Sequence, residues 1–450
     1  MTIRMRWPIC WALGLALIWS GGVGVERAAA EPPPAPVPGA SPDFDGDGRP
    51  DLAIGGLYGG VQIRYGDDRE QELAERDLGS EQDAIPGEAL LARDVNGDGY
   101  ADLLLTDEDA RELLVLLGGP SGLSAQSVHR YPAPSGARTF GHAITLVTKP
   151  AKLLVVGAEQ TSVKGGSLAV YPLGSDGLPS GTPFWINQNS AGVPGTAESG
   201  DEFGFSLAAE GSTLVVGVPG EDIGKVKDAG NIVVLTYTGG TSFSGVGIGQ
   251  NSSGVADKAE NNDQFGHAVA IGNGYLAVGV PGESSGAGMV QVFTAAAKPT
   301  PKYTIDQNSK GVPGGNERGD LFGASVALAR LCSGKVGVVV GAPGEQIGVG
   351  DGAGWVVPFS RSGSCPSRLI VEGPGEILSG SRVEGGLLGS SVTTLRAPGA
   401  ATDTVVLGGS GIEDVSGSRV YTLNASYTSG TKAYAGPAAP YERLGLSPLG

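Results

Sequence analysis

Histidine, cysteine and charge are all scarce in this sequence, and each shortage closes off a class of function. Three histidines stand in 450 residues, His129, His142 and His267, so a Ser-His-Asp hydrolytic site has little material to draw on. Only 17% of the residues are charged. Disorder needs high charge and few β-branched residues, whereas runs of Val, Leu and Ile recur along the whole length, so the chain is expected to fold. The 30 basic residues are outnumbered by 47 acidic ones, for a net charge of −17. That balance repels phosphates and excludes nucleic acid as a partner, while it suits a soluble protein that binds cations. No amphipathic helical pattern interrupts the apolar runs, which argues against βαβ units.

Glycine is what the chain has in excess: 78 of 450 residues, against an ordinary share of about 7%. Such a chain is rich in turns. Its first thirty residues read as a signal peptide, with Arg4 and Arg6 before an apolar stretch from Ile9 to Val25 and a small-residue cleavage site at Ala28-Ala29-Ala30. Cys10 lies before most of that stretch, which is not where a lipoprotein cysteine stands. Residues 31–42 hold six prolines and form an extended linker. A secreted chain without a membrane span is therefore expected once the presequence is cut. It retains two cysteines, Cys332 and Cys365, and an even pair in an exported chain predicts one disulfide.

Self-comparison shows an internal repeat. Asp201-Glu-Phe-Gly-Phe-Ser, Asp263-Gln-Phe-Gly-His-Ala and Asp320-Leu-Phe-Gly-Ala-Ser are one motif, with relatives at Phe140 and Leu388. Each is followed by an apolar run such as Leu214-Val-Val-Gly-Val-Pro-Gly or Val338-Val-Val-Gly-Ala-Pro-Gly, then by a third apolar run, and three repeats end in Gln188-Asn-Ser, Gln250-Asn-Ser and Gln307-Asn-Ser. The anchors Phe140, Phe203, Phe265, Phe322 and Leu388 lie 57 to 66 residues apart. Four short β-rich runs in that span describe a four-stranded antiparallel blade. Two further copies begin at Asp43 and Gly87, so an all-β, seven-bladed β-propeller is expected over residues 43–450. Its blades fall at about 43–87 plus 441–450, 88–137, 138–200, 201–262, 263–319, 320–384 and 385–440. The first copy lacks a leading strand, and Glu442-Arg-Leu-Gly-Leu-Ser resembles it, so the C-terminal strand is expected to close the ring.

The Phe-Gly-x-Ser/Ala-Val and Val-Gly-Ala-Pro-Gly motifs resemble the FG-GAP repeat of integrin α-subunit propellers and of many secreted bacterial proteins. The resemblance implies a propeller used for adhesion or ligand binding.

Two segments carry metal chemistry. Asp43-x-Asp45-x-Asp47-Gly-x-x-Asp51 and Asp94-x-Asn96-x-Asp98-Gly-x-x-Asp102 place oxygen side chains at positions 1, 3, 5 and 9 of a tight loop. Calcium takes six to eight oxygens, and the glycines allow the bend. Carbonyls of Arg49 and Tyr100 are expected as further ligands. Apolar strands follow at once, where an EF-hand would place a Glu and a helix. Each ion would pin the turn between the first and second strands of its blade, later blades being expected to use shorter turns that need none. Cys332 and Cys365 fall on the same end as these turns. The opposite end, with the long loops after each Pro-Gly, is the candidate contact face.

Other motifs are discounted. Gly282-Glu-Ser-Ser-Gly286 fits G-x-S-x-G but is the repeat equivalent of Gly220-Glu-Asp-Ile-Gly224, with no strand-to-helix elbow. Arg318-Gly-Asp320 puts its Asp at the repeated position of Asp201 and Asp263. His142 and His267 likewise share one repeat position. The functional expectation is a monomeric, non-enzymatic extracellular adhesion or binding module with a protein or glycan partner. A propeller lectin using Phe184, Trp185, Tyr303 or Trp355 as sugar platforms is the alternative, and a hydrolase ranks below both.

Overall fold

The computed structural model describes residues 41–446 apart from 58–59, 80–85, 109, 159–160, 162–163, 333, 348–349, 361–364, 374, 380–386, 410–417 and 437–444. The expected signal peptide, residues 31–40 of the linker and residues 447–450 of the tail lie outside the described residues. No helix among those described is long and apolar enough to cross a membrane.

The chain is all-β. Helix among the described residues is confined to the single turns Glu75–Leu78 and Glu283–Gly286 and a 3-10 turn, Ala125–Ser127. Five sheets have four strands each, and every neighbour within them is antiparallel. The second sheet runs Leu90–Arg93, Asp102–Asp107, Glu112–Leu116, His129–Pro132 in chain order, and the third, fourth and fifth repeat that meander. A sixth sheet of eight strands holds the last two repeats. They are joined by one parallel pairing of Gly352 with Leu388. The same junction recurs as an isolated parallel bridge at Gly166 with Phe203, Gly230 with Phe265 and Gly288 with Phe322.

The second strands are rich in apolar residues because they are covered on both faces. All six residues of Leu153–Ala158 are buried, as are all six of Asp102–Asp107. Each apolar cluster joins two neighbouring repeats. Val155 and Leu168 of the third meet Val216 and Val233 of the fourth around Phe203. Val234 and Leu276 meet around Phe265, and Val292 and Val340 around Phe322. The repeated Phe is therefore the wedge between neighbours, fully buried in each of these repeats.

Glycine sets how closely the sheets approach. A Cβ on Gly217 would stand 2.1 Å from the carbonyl oxygen of Gly266 in the next sheet, and one on Gly279 2.0 Å from that of Gly323. Real atoms do not approach so near, so no side chain fits there. The Ser206 hydroxyl donates to that Gly266 carbonyl at 2.8 Å, and Ser325 does the same to Gly389.

The first sheet is completed from the far end of the chain. Leu52–Leu57 pairs antiparallel with Gly445–Leu446, through Ile54 with Leu446 and Gly55 with Gly445. Leu52, Ile54 and Leu446 also pack against Leu395, Val406 and Val420 of the last repeat.

Candidate metal centres

The two Asp loops are built alike. Asp51 and Asp102 are fully buried where the loop meets the second strand. Asp51 accepts the backbone N–H of Phe44 at 2.6 Å and of Gly66 at 2.8 Å; Asp102 accepts those of Val95 and Gly118 at 2.8 and 2.9 Å. The leading carboxylates curl over the turn: Asp43 accepts from Gly46 and Gly48, Asp94 from Gly97 and Gly99. Gly97 shows why glycine stands there. A Cβ would touch nothing within 4 Å, but φ is +85°, a conformation that L side chains disfavour. Asp47 and Asp98 accept the N–H of Arg49 and Tyr100, and Asp45 and Asn96 accept those of Asp47 and Asp98.

In the first loop, ligand oxygens of Asp43, Asp45 and Asp51 lie within 4.8 Å of one another, and a second such group joins Asp45, Asp47 and Asp67. Burial pushes the Asp51 carboxyl up to about 8, against two backbone hydrogen bonds and with help from Asp45 and Asp43. Burial likewise raises Asp43 to about 6 and Asp102 to about 7. Carboxylates held dry and close together need either protons or a cation. A hard divalent ion with oxygen ligands fits this donor set.

Two members of the first centre carry no mark in the loop motif. Asp67 and Arg69 come from the turn before Glu70–Ala74; Arg69 pairs with Asp67 at 2.7 Å and also with Asp45. Their proximity is a product of sheet geometry.

The expectation that later repeats use shorter first turns holds at 211–212 but fails in the last repeat. There 396–403 spans eight residues between Leu388–Leu395 and Thr404–Gly409, as many as 94–101 in the second sheet. Asp403, also fully buried, occupies the position of Asp51 and Asp102. It is held by arginines: Arg330 donates from its backbone N–H at 2.8 Å and from its guanidinium at 2.8 and 3.1 Å, and Arg396 donates at 3.1 and 3.2 Å. Burial would raise the Asp403 carboxyl, but the two guanidinium groups outweigh it and hold it below the usual range. One buried aspartate is thus neutralised by side chains at the turn where the other two have no such pair.

Cys332 and Cys365 form a disulfide with a Cα separation of 5.7 Å, after the first and third strands of their repeat. Such a cross-link persists in an oxidising compartment.

The opposite end carries a device that the motifs contained but did not explain. Gln188 donates from Nε2 to Glu221 at 2.6 Å, Gln250 to Glu283 at 2.6 Å and Gln307 to Glu345 at 2.5 Å. Each glutamine ends one repeat and each glutamate follows Pro-Gly in the next. The repeated Asp201, Asp263 and Asp320 are buried beside them and accept the backbone N–H of Glu198, Glu260 and Glu317. Asp320 is thus turned inward, and Arg318-Gly-Asp320 does not present its carboxylate. Glu283 of Gly282–Gly286 belongs to the same clasp. Trp355, a sugar-platform candidate, is fully buried against Phe322 and donates to the Pro313 carbonyl at 2.9 Å; it is core. Phe184, Trp185 and Tyr303 are half-buried. His142 and His267 flank Phe205, with ring centroids 4.6 and 4.9 Å from it.

Comparison with known proteins matches residues 43–105 to the FG-GAP-like repeat. No curated protein matches the chain. Among solved structures, the chain is similar to the periplasmic gluconolactonase of Pseudomonas aeruginosa, with 14% identity over 89% of this chain and 99% of that one and a TM-score of 0.46. It is also similar to a protein named as a candidate 6-phosphogluconolactonase of Bacteroides uniformis, with 11% identity over 88% and 98% and a TM-score of 0.49. These findings correct the expectation of a non-enzymatic adhesion or lectin module: both of these solved structures are named as lactonases. At these scores the likeness carries no activity over to this chain.

Proposed function

From the FG-GAP repeat that residues 43–105 carry, we propose that this protein is an exported, calcium-binding β-propeller of seven blades. Its loops 43–51 and 94–102 each hold one structural calcium ion. Asp43, Asp45, Asp47 and Asp51, with the carbonyl of Arg49, are the ligands in the first blade; Asp94, Asn96, Asp98 and Asp102, with the carbonyl of Tyr100, in the second.

The observation that carries this reading is the matched pair of loops, each ending in a fully buried aspartate, beside the last repeat, where two arginines serve the same aspartate position. Support for seven blades comes from dividing the eight-stranded sheet at its single parallel pairing. Ring closure is supported by the pairing of Gly445–Leu446 with Leu52–Leu57 and by the packing of the first strands of neighbouring sheets on one another. Export rests on the presequence and the disulfide.

Isothermal titration of the chelator-treated protein with calcium tests the metal reading. Two sites are expected, together with a rise in thermal midpoint that grows with calcium concentration. An Asp45→Ala/Asp98→Ala double variant should lose both. If the midpoint is indifferent to chelation in parent and variant alike, the metal reading fails.

A further inference from the structure

A cavity of about 390 Å³ runs along the first strands of successive sheets. Leu91, Ile144, Leu207, Val269 and Val326 from five different strands line it, with Thr145, Thr393 and Thr394 among them. Polar groups gather at the end next to the first turns, where Arg93, Glu210 and Arg396 line it. A concave site that combines aliphatic side chains with convergent polar groups suits a small molecule, and this volume lies within the usual span of roughly 300–1,000 Å³.

The two arginines differ. Arg396 is held on Asp403 through two hydrogen bonds. The Arg93 side chain makes no hydrogen bond or ion pair among the described residues, and its Nε is buried without an acceptor. Among the described residues the exposed Glu210 is the charge that acts on it, without a direct contact. A guanidinium has five donors in a planar fork and keeps its charge, so a half-buried fork whose Nε has no acceptor is a site for an oxyanion. It stands out in a chain of net charge −17.

We propose that this channel binds a small organic carboxylate, with the carboxylate on the Arg93 fork beside Arg396 and the hydrocarbon body in the aliphatic throat. The fork selects a bidentate acceptor, and the side chains of Leu207 and Val269 offer hydrocarbon to the body. Glu210 opposes the anion and keeps its affinity below what the two arginines alone would reach.

Isothermal titration with octanoate, with calcium saturating, reads the proposal directly. The expected result is one octanoate per chain, with octan-1-ol and inorganic phosphate each weaker by at least about tenfold, because each offers half of the recognised chemistry. Arg93→Ala should lose about tenfold or more in affinity, Arg93→Lys less, and Glu210→Gln should gain several-fold. The Lys and Gln variants keep the test valid if Arg93→Ala does not fold. Octan-1-ol binding as tightly as octanoate, affinities indifferent to Arg93 and Glu210, or no saturable octanoate binding would each overturn the proposal.

Discussion

At the scale of single residues, glycine does two different jobs here, and the distinction is testable. Gly97 is needed for its backbone angle, with open space around it, whereas Gly279 is needed for its missing side chain, with the Gly323 carbonyl where a Cβ would go. Gly279→Ala should therefore act as overpacking between two sheets and destabilise by about 2–3 kcal/mol. Gly97→Ala should cost about 1–2 kcal/mol of left-handed strain. Chemical denaturation of the two variants measures both, with calcium present so that loop 94–102 stays formed. Phe265, buried between the fourth and fifth sheets, should cost more than either on truncation, about 3–5 kcal/mol.

At the scale of elements, the Gln–Glu clasps bind each of three repeats to the next, and they make stability depend on pH. Burial raises Glu221 and Glu345 to about 7, with smaller contributions from neighbouring carboxylates and against the glutamine hydrogen bond; it raises Asp263 to about 7 also. The folded chain therefore keeps protons near pH 6 that the unfolded chain has already released. Stability from these groups is full below the ordinary carboxylate range and is lost as pH rises through about 7. Thermal midpoints taken at saturating calcium should fall between about pH 5 and pH 8, and a Glu221→Gln/Glu345→Gln variant should flatten the fall. A midpoint that rises over this interval would refute the assignment. The turn of the last repeat extends the same logic: Asp403 sits between two arginines and should respond to neither chelation nor pH in this range.

At the scale of the whole molecule, the proposed ring closure predicts a stability effect. Removing residues 441–450 takes away the strand beside Leu52–Leu57 and exposes Ile54, so the first sheet should become the first site of limited proteolysis and the thermal midpoint should drop. Unchanged proteolysis would count against a closed ring. The disulfide closes a loop of 33 residues, for which the chain-entropy account expects about 3–4 kcal/mol; a Cys332→Ser/Cys365→Ser variant compared under denaturant measures it.

The amino-acid sequence by itself determined what is local and repeated. Phe-Gly, Val-Gly-Ala-Pro-Gly and the Asp loops each encode a conformation within a few residues, so strands, turns and the two candidate metal loops were legible from it. The cysteine pair was legible too, because only two remained. What joins distant parts of the chain was decided by the tertiary structure. Arg69 reaches Asp45 across 24 positions and Arg330 reaches Asp403 across 73, and no motif marks either pair. Gln250 and Glu283 were visible only as repeat markers until packing placed them in hydrogen-bond contact. The cavity that Arg93 lines belongs to no single repeat: several first strands, each unremarkable alone, wall it together, and only packing can bring them there.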